Sequence, residues 1–104
     1  PTLVFDEIDT GVGGAVADAI GQRLKRLSQT VQVLSVTHAP QVAARSDTHF
    51  LISKAESGDR MATGVKVMDR GERAEEIARM LSGAEITGEA RAAAERLMRE
   101  NGAI

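Results

Sequence analysis

The chain of 104 residues predicts an α/β fold: parallel strands joined by a crossover helix, then a β-hairpin and two further helices. Three observations predict it. Residues 2 to 9, Thr-Leu-Val-Phe-Asp-Glu-Ile-Asp, and residues 31 to 38, Val-Gln-Val-Leu-Ser-Val-Thr-His, are short β-branched runs that end in polar groups. That is the pattern of strands covered on both faces, as in a parallel sheet. The segment between them is long enough for the helix that a parallel connection requires. Beyond residue 71, apolar residues recur twice more at helical spacing.

From about Ala15 to Ser28 the apolar stripe is Val16, Ile20, Leu24 and Leu27, and Arg23, Lys25 and Arg26 mark the opposite, solvated face. Cations late in a helix also suit its dipole. After the second strand, Pro40 fits the first turn of a short helix over Gln41 to Arg45. A strand is expected at 48 to 54, a turn at Ser57-Gly58-Asp59, and a second extended run at Thr63 to Met68 in which Val65 and Val67 alternate. Together these predict an antiparallel hairpin at the sheet edge. A helix from Glu72 to Leu81 should bury Ala74, Ile77, Ala78 and Leu81, with Glu75, Glu76 and Arg79 outside and Gly83 as its stop. Thr87 can cap a final helix ending near Glu100 and Asn101, with Gly102 beyond. Its inner stripe is Ala90, Ala93, Ala94 and Leu97, opposed by Arg91, Glu95 and Arg99.

In open α/β sheets ligands bind beyond the carboxyl ends of the strands, which is where Asp6, Glu7 and Asp9 would stand. One carboxylate there can hold Mg²⁺ through its water shell, and a second can orient or deprotonate an attacking water. A crossover connection would bring His38 to the same sheet edge as Glu7. Gln41, about one turn further on, could orient His38 or bind water, and equally could be a plain surface residue. His49 has Asp47 as its only close acidic neighbour in sequence and reads as structural. Gly11, Gly13 and Gly14 form a loop that can approach a phosphate or a partner backbone closely. Val16 breaks the dinucleotide-binding fingerprint in that stretch.

Composition narrows the function classes. The length allows one domain at most, and with Phe5 and Phe50 the only aromatic residues the core must rely on aliphatic side chains. There are no cysteines, so disulfide and thiolate metal sites are excluded, which fits a cytosolic setting. No apolar run reaches the length of a membrane span, and no leader-like segment opens the chain. A net charge of −2 provides no global attraction to DNA.

The segments "LVFDEID" and "VLSVTHAPQVAA" resemble the Walker B and switch-histidine segments of the ABC-type ATPases, in the branch that includes the SMC proteins. Within that branch, "FDEIDTGVGG", "THAPQVAA" and "EEIARMLSGAEIT", in this order and spacing, are similar to the C-terminal end of the RecN family of bacterial DNA double-strand-break repair ATPases. The resemblance implies the fold of the C-terminal part of a P-loop ATPase head. It gives Asp6 a role in holding Mg²⁺, through water, and makes Glu7 the group that polarises the attacking water. His38 would contact the γ-phosphate of ATP and sense its loss. Thr10, Gly11, Gly13 and Gly14 would lie in the loop facing a partner head in a nucleotide-sandwiched homodimer. Gly13 stands where the wider ABC pattern has an aspartate, and Ile8-Asp9 replaces the Pro-Thr frequent in transporters. Both departures favour the DNA-repair branch.

No Gly-x-x-x-x-Gly-Lys-Ser/Thr phosphate loop occurs in these residues. The resemblance therefore implies a segment of a larger head, 1-104, whose phosphate loop, signature motif and coiled coil lie elsewhere, and whose partner is the N-terminal half of the same head. ATP hydrolysis with Mg²⁺, DNA binding, a role in repair and recombination and a nucleoid-associated place in the cytoplasm would belong to the full-length protein, with the isolated segment inactive. Leu81-Ser82-Gly83-Ala84-Glu85 imitates the signature motif Leu-Ser-Gly-Gly-Gln/Glu but stands downstream of the acidic pair, where a helix end is the better reading. Two alternatives stand beside the repair ATPase: the corresponding end of a transporter nucleotide-binding domain, and a non-catalytic interaction module of the same fold.

Overall fold

The computed structural model describes residues 1–58, 60–83 and 85–100. Strand β1 (Thr2–Asp6) and strand β2 (Gln32–Val36) pair in parallel, with Leu3 opposite Val33 and Asp6 opposite Val36. Helix α1 (Gly14–Leu27) makes the crossover between them. A short helix α2 (Pro40–Ala43) follows, with Pro40 in its first turn, where the missing N–H is not needed. Strands β3 (Phe50–Ser57) and β4 (Arg60–Val67) form the antiparallel hairpin, and Gly58 supplies the positive φ of 65° that its turn uses. Asp59, the last residue of the expected turn, lies outside the described residues. The hairpin is a two-stranded sheet of its own, hydrogen-bonded within itself rather than to the edge of β1 or β2.

Helix α3 (Arg70–Ser82) starts two residues earlier than the apolar spacing predicts. Asp69 caps it: its carboxylate accepts from the Glu72 amide at 2.8 Å while the Glu72 carboxylate accepts from the Asp69 amide at 3.1 Å. This reciprocal box satisfies two backbone donors that periodicity alone does not register. Gly83, at φ 81°, ends the helix, so the signature-like stretch is a helix terminus as far as Gly83; Ala84 lies outside the described residues. Helix α4 (Gly88–Glu100) begins under the Thr87 hydroxyl, which accepts from the Ala90 amide at 3.1 Å. Its expected end at Asn101 and Gly102 lies outside the described residues.

The core is helical. Ala43, Ala44, Ile77, Ala78, Ala90, Ala94 and Met98 pack together where α2, α3 and α4 meet. Ile77, Ala78, Ala90 and Ala94 are the stripe that the sequence predicts. Met98 joins them, while Leu81 stays largely exposed and Leu97 is only partly buried. On α1 the buried positions are Ala17 and Gly21, with Val16 exposed. A Cβ on Gly21 would stand 3.1 Å from the Gln41 carbonyl oxygen and 2.9 Å from Arg45 Cδ, so this glycine is what lets α1 lie close against α2.

One expectation is overturned. The two parallel strands are not covered on both faces: Val4 is 66% exposed, Leu34 45% and Val36 43%. Each strand has a single hydrogen-bonded neighbour and no helix layer over this face among the described residues, so side chains suited to burial stand in solvent. The strands' apolar sequences are those of a sheet interior, and the packing that would bury them is not supplied by the residues described.

Arg73 is a buried residue that the sequence reading missed. Its guanidinium donates to the backbone oxygens of Ser46, at 2.9 Å, and Ala43, at 3.4 Å, tying α3 to the end of α2. Burial lowers its pKa, as it does that of neighbouring His49, which Arg73 lowers further by charge repulsion.

Candidate active site

The carboxyl ends of β1 and β2 lie side by side because the strands run parallel in register, and the two chemically equipped residues follow them directly. The Glu7 amide extends the ladder, donating to the Val36 carbonyl at 2.8 Å. Glu7 then turns the chain with φ 52°, the one positive φ outside glycine among the described residues. A side chain disfavours that conformation, and such backbone strain is concentrated at functional positions. The turn closes when the Thr10 amide donates to the Glu7 carbonyl at 3.2 Å.

Across from it, His38 Nε2 stands 2.8 Å from Glu7 Oε1. The two residues are 31 positions apart in sequence, and the crossover brings them into contact. Both remain open to solvent, with side chains 84% and 45% exposed respectively, so a ligand can reach them. They border a cleft of about 400 Å³ that runs from this pair along the glycine loop to the start of α1. Asp9, Gly11, Gly13, Gly14 and Gln41 line it as well. Gln41 points at the loop rather than standing free: a Cβ on Gly14 would meet its Nε2 at 3.1 Å. Helix α1 starts at Gly14 beside the cleft, and its N-cap, Gly13, has no side chain with which to cap the first amides.

Asp6 is not among the residues that border the cleft. Strand alternation places it on the face of Val4, Leu34 and Val36, the open one. No hydrogen bond or ion pair engages its carboxylate among the described residues, and no group of three metal-ligating side chains occurs there. Asp6 alone suits a metal such as Mg²⁺, which keeps most of its water and takes one or two carboxylates together with phosphate oxygens. Thr10, Gly11, Gly13 and Gly14 are all exposed, a loop presented outward rather than folded onto the body.

The residue that the sequence reading undervalued is Asp9. It is 7% exposed, and the Thr37 hydroxyl donates to its carboxylate. The same hydroxyl accepts from the Ala39 amide at 2.9 Å. Asp9 was expected among the acids at the strand end, but nothing in its spacing marks it as the buried one.

Comparison with known proteins follows the same lines. No protein-family model matches the chain. A DNA repair protein RecN of Xylella fastidiosa (strain 9a5c) is 52% identical over 100 residues, which are 96% of this chain and 18% of that protein. The DNA repair protein RecN of Streptomyces coelicolor is 50% identical over 98 residues, 94% of this chain and 17% of its own length. That of Halalkalibacterium halodurans is 50% identical over 86 residues, 83% and 15%. The chain thus spans under a fifth of the length of the curated relatives it matches. A solved chain from work on ATP-driven dimerization and DNA-stimulated activation of SMC ATPases matches with a TM-score of 0.67 and 18% identity, over 82% of this chain and 50% of that one. At that identity the likeness speaks for the fold. With about half of its residues identical to those of several RecN proteins over nearly its whole length, the chain matches a part of the DNA repair protein RecN and has the α/β fold of the solved SMC ATPase chain.

Proposed function

We propose that this chain is the part of a RecN-type ATPase head that supplies the Walker B carboxylates and the switch histidine to an ATP site completed by the rest of the protein. The observation that carries this reading is the 2.8 Å approach of His38 Nε2 to Glu7 Oε1 at adjoining parallel strand ends. Glu7 accepts a hydrogen bond from water and aligns its oxygen with the γ-phosphorus. As the new P–O bond forms, the bond from the γ-phosphorus to the β–γ bridging oxygen breaks. ADP and phosphate leave, and the water's proton passes to the Glu7 carboxylate. His38, within reach of Glu7, donates to a γ-phosphate oxygen and ties the position of that carboxylate to the presence of the phosphate. Bound Mg²⁺ would neutralise charge on the phosphates, and Asp6 is the carboxylate that would hold its water shell.

The open face that carries Val4, Leu34, Val36 and Asp6 supports a second element of this reading. The N-terminal half of the same head would cover those apolar side chains and bring its phosphate loop to Asp6. Thr10, Gly11, Gly13 and Gly14 would face a second head, because an exposed glycine loop beside the Glu7–His38 pair can approach a partner's backbone closely. ATP would close the two heads and hydrolysis would part them, in the service of DNA double-strand-break repair and recombination at the nucleoid. No helix of the described residues is long and apolar enough to cross a membrane.

The test uses the full-length protein. Glu7→Gln should still bind ATP while its hydrolysis falls by roughly 10²–10⁴-fold, the share a positioned general base contributes. Unchanged turnover would remove Glu7 from this role.

A further inference from the structure

Asp9 is nine-tenths buried, belongs to no ion pair among the described residues, and takes the Thr37 hydroxyl as its hydrogen-bond donor. A buried carboxylate served by one neutral hydroxyl is a demanding arrangement, and a mere tie between two loops does not require it. Its place in the chain suggests what it does. Asp9 follows Glu7 by two residues, inside the turn closed by the Thr10 amide and the Glu7 carbonyl. Thr37 immediately precedes His38, and its hydroxyl uses both of its capacities, donating to Asp9 and accepting from the Ala39 amide. One hydroxyl therefore fixes the backbone on both sides of His38 and anchors it to the turn that carries Glu7.

We propose that Asp9 and Thr37 are positioning residues that latch the Glu7 turn to the His38 loop and so set the distance between the two side chains. The inference rests on the ATPase reading and deepens it. Both act through the backbone of their neighbours, Asp9 from the wall of the cleft. The exposed Glu7–His38 contact is itself weak, since pairs of this kind contribute little on their own. The buried bond below it holds the geometry, and displacement of a reacting group by about 1 Å can lower a rate by roughly 10²-fold.

The experiment is steady-state ATP hydrolysis by the full-length protein in four variants: Thr37→Val, Thr37→Ser, Asp9→Ala and Glu7→Gln. Thr37→Val keeps the shape and removes the hydroxyl, and should lower kcat by about tenfold to a hundredfold with KM for ATP within about twofold. Asp9→Ala should do the same. Thr37→Ser restores the hydroxyl and should restore kcat to within about threefold of the wild type. A merely structural role would not give this split between kcat and KM together with rescue by serine. Unchanged kcat in Thr37→Val overturns the latch. So does an equal loss in Thr37→Ser, or a rise in KM that matches the fall in kcat. If Asp9→Ala fails to fold, the comparison of valine with serine at position 37 decides. Glu7→Gln separates the two levels: full activity there removes Glu7 from the catalytic role on which the latch rests, whereas an inactive Glu7→Gln beside a fully active Thr37→Val sinks the latch alone.

Discussion

The left-handed backbone at Glu7 leads to a stability prediction with an unusual sign. Its φ of 52° costs a residue with a Cβ roughly 1–2 kcal/mol, a cost that glycine escapes. The side chain offers little in return, because its contact with His38 is exposed and pairs of that kind contribute about 0–1 kcal/mol. Glu7→Ala loses the contact and keeps the backbone cost. Glu7→Gly loses the contact and releases that cost, against about 0.4–1 kcal/mol for the greater freedom of glycine in the unfolded chain. The glycine variant should therefore be the more stable of the two by roughly 1 kcal/mol, the reverse of the usual order of these residues. Urea unfolding of the 104-residue chain measures this directly, as a higher midpoint for Glu7→Gly at equal slope. In the full-length protein both variants should lose hydrolysis together, so that one of them gains stability while giving up turnover. An alanine variant as stable as the glycine variant, or more so, would mean that Glu7 does not occupy the left-handed region in solution, and the strain argument would fall.

Four further outcomes are expected. His38→Ala should slow ATP hydrolysis by the full-length protein with a smaller effect on ATP binding; an equal loss of both would make His38 a binding residue. Asp6→Asn should shift the Mg²⁺ titration of hydrolysis to higher concentration, and an unshifted curve would count against Asp6 as the metal's carboxylate. Ile77 is fully buried in a core of alanines and Met98, so Ile77→Ala should cost about 2–5 kcal/mol in urea unfolding. Burial, and then Arg73, hold the His49 pKa below its ordinary value. The unfolded chain therefore takes up a proton at a pH where the folded one does not. The His49 contribution should be complete above about pH 6.5 and be lost as the pH falls from there through the lowered value, with His49→Gln flattening that part of the stability profile.

The parallel pair was legible because short β-branched runs end in Asp6-Glu7 and Thr37-His38 and are separated by a helix-length segment. The start of α3 was missed by two residues because the apolar period begins later than the cap, although Asp69 and Glu72 carry the spacing of a capping box. Met98 was missed because a stripe drawn through Leu97 fits the helical period almost as well, and only the packing of α4 against its neighbours selects between the two. Buried Arg73 was not legible at all, since its partners are backbone oxygens at the end of α2, 27 and 30 residues away.

Local chemistry written into the sequence determined the elements, their order and which side chains are candidates for the site, because hydrophobic period, turn residues and strand-end acids act over a few neighbours. Tertiary structure decided which of those side chains meet. It brought His38 onto Glu7, turned Asp6 to the opposite face, and buried Asp9 beneath Thr37. It also left Val4, Leu34 and Val36 uncovered, although their sequence is that of a sheet interior. Burial and distance depend on what the rest of the fold places against a residue, and that is a property of packing which no local pattern contains.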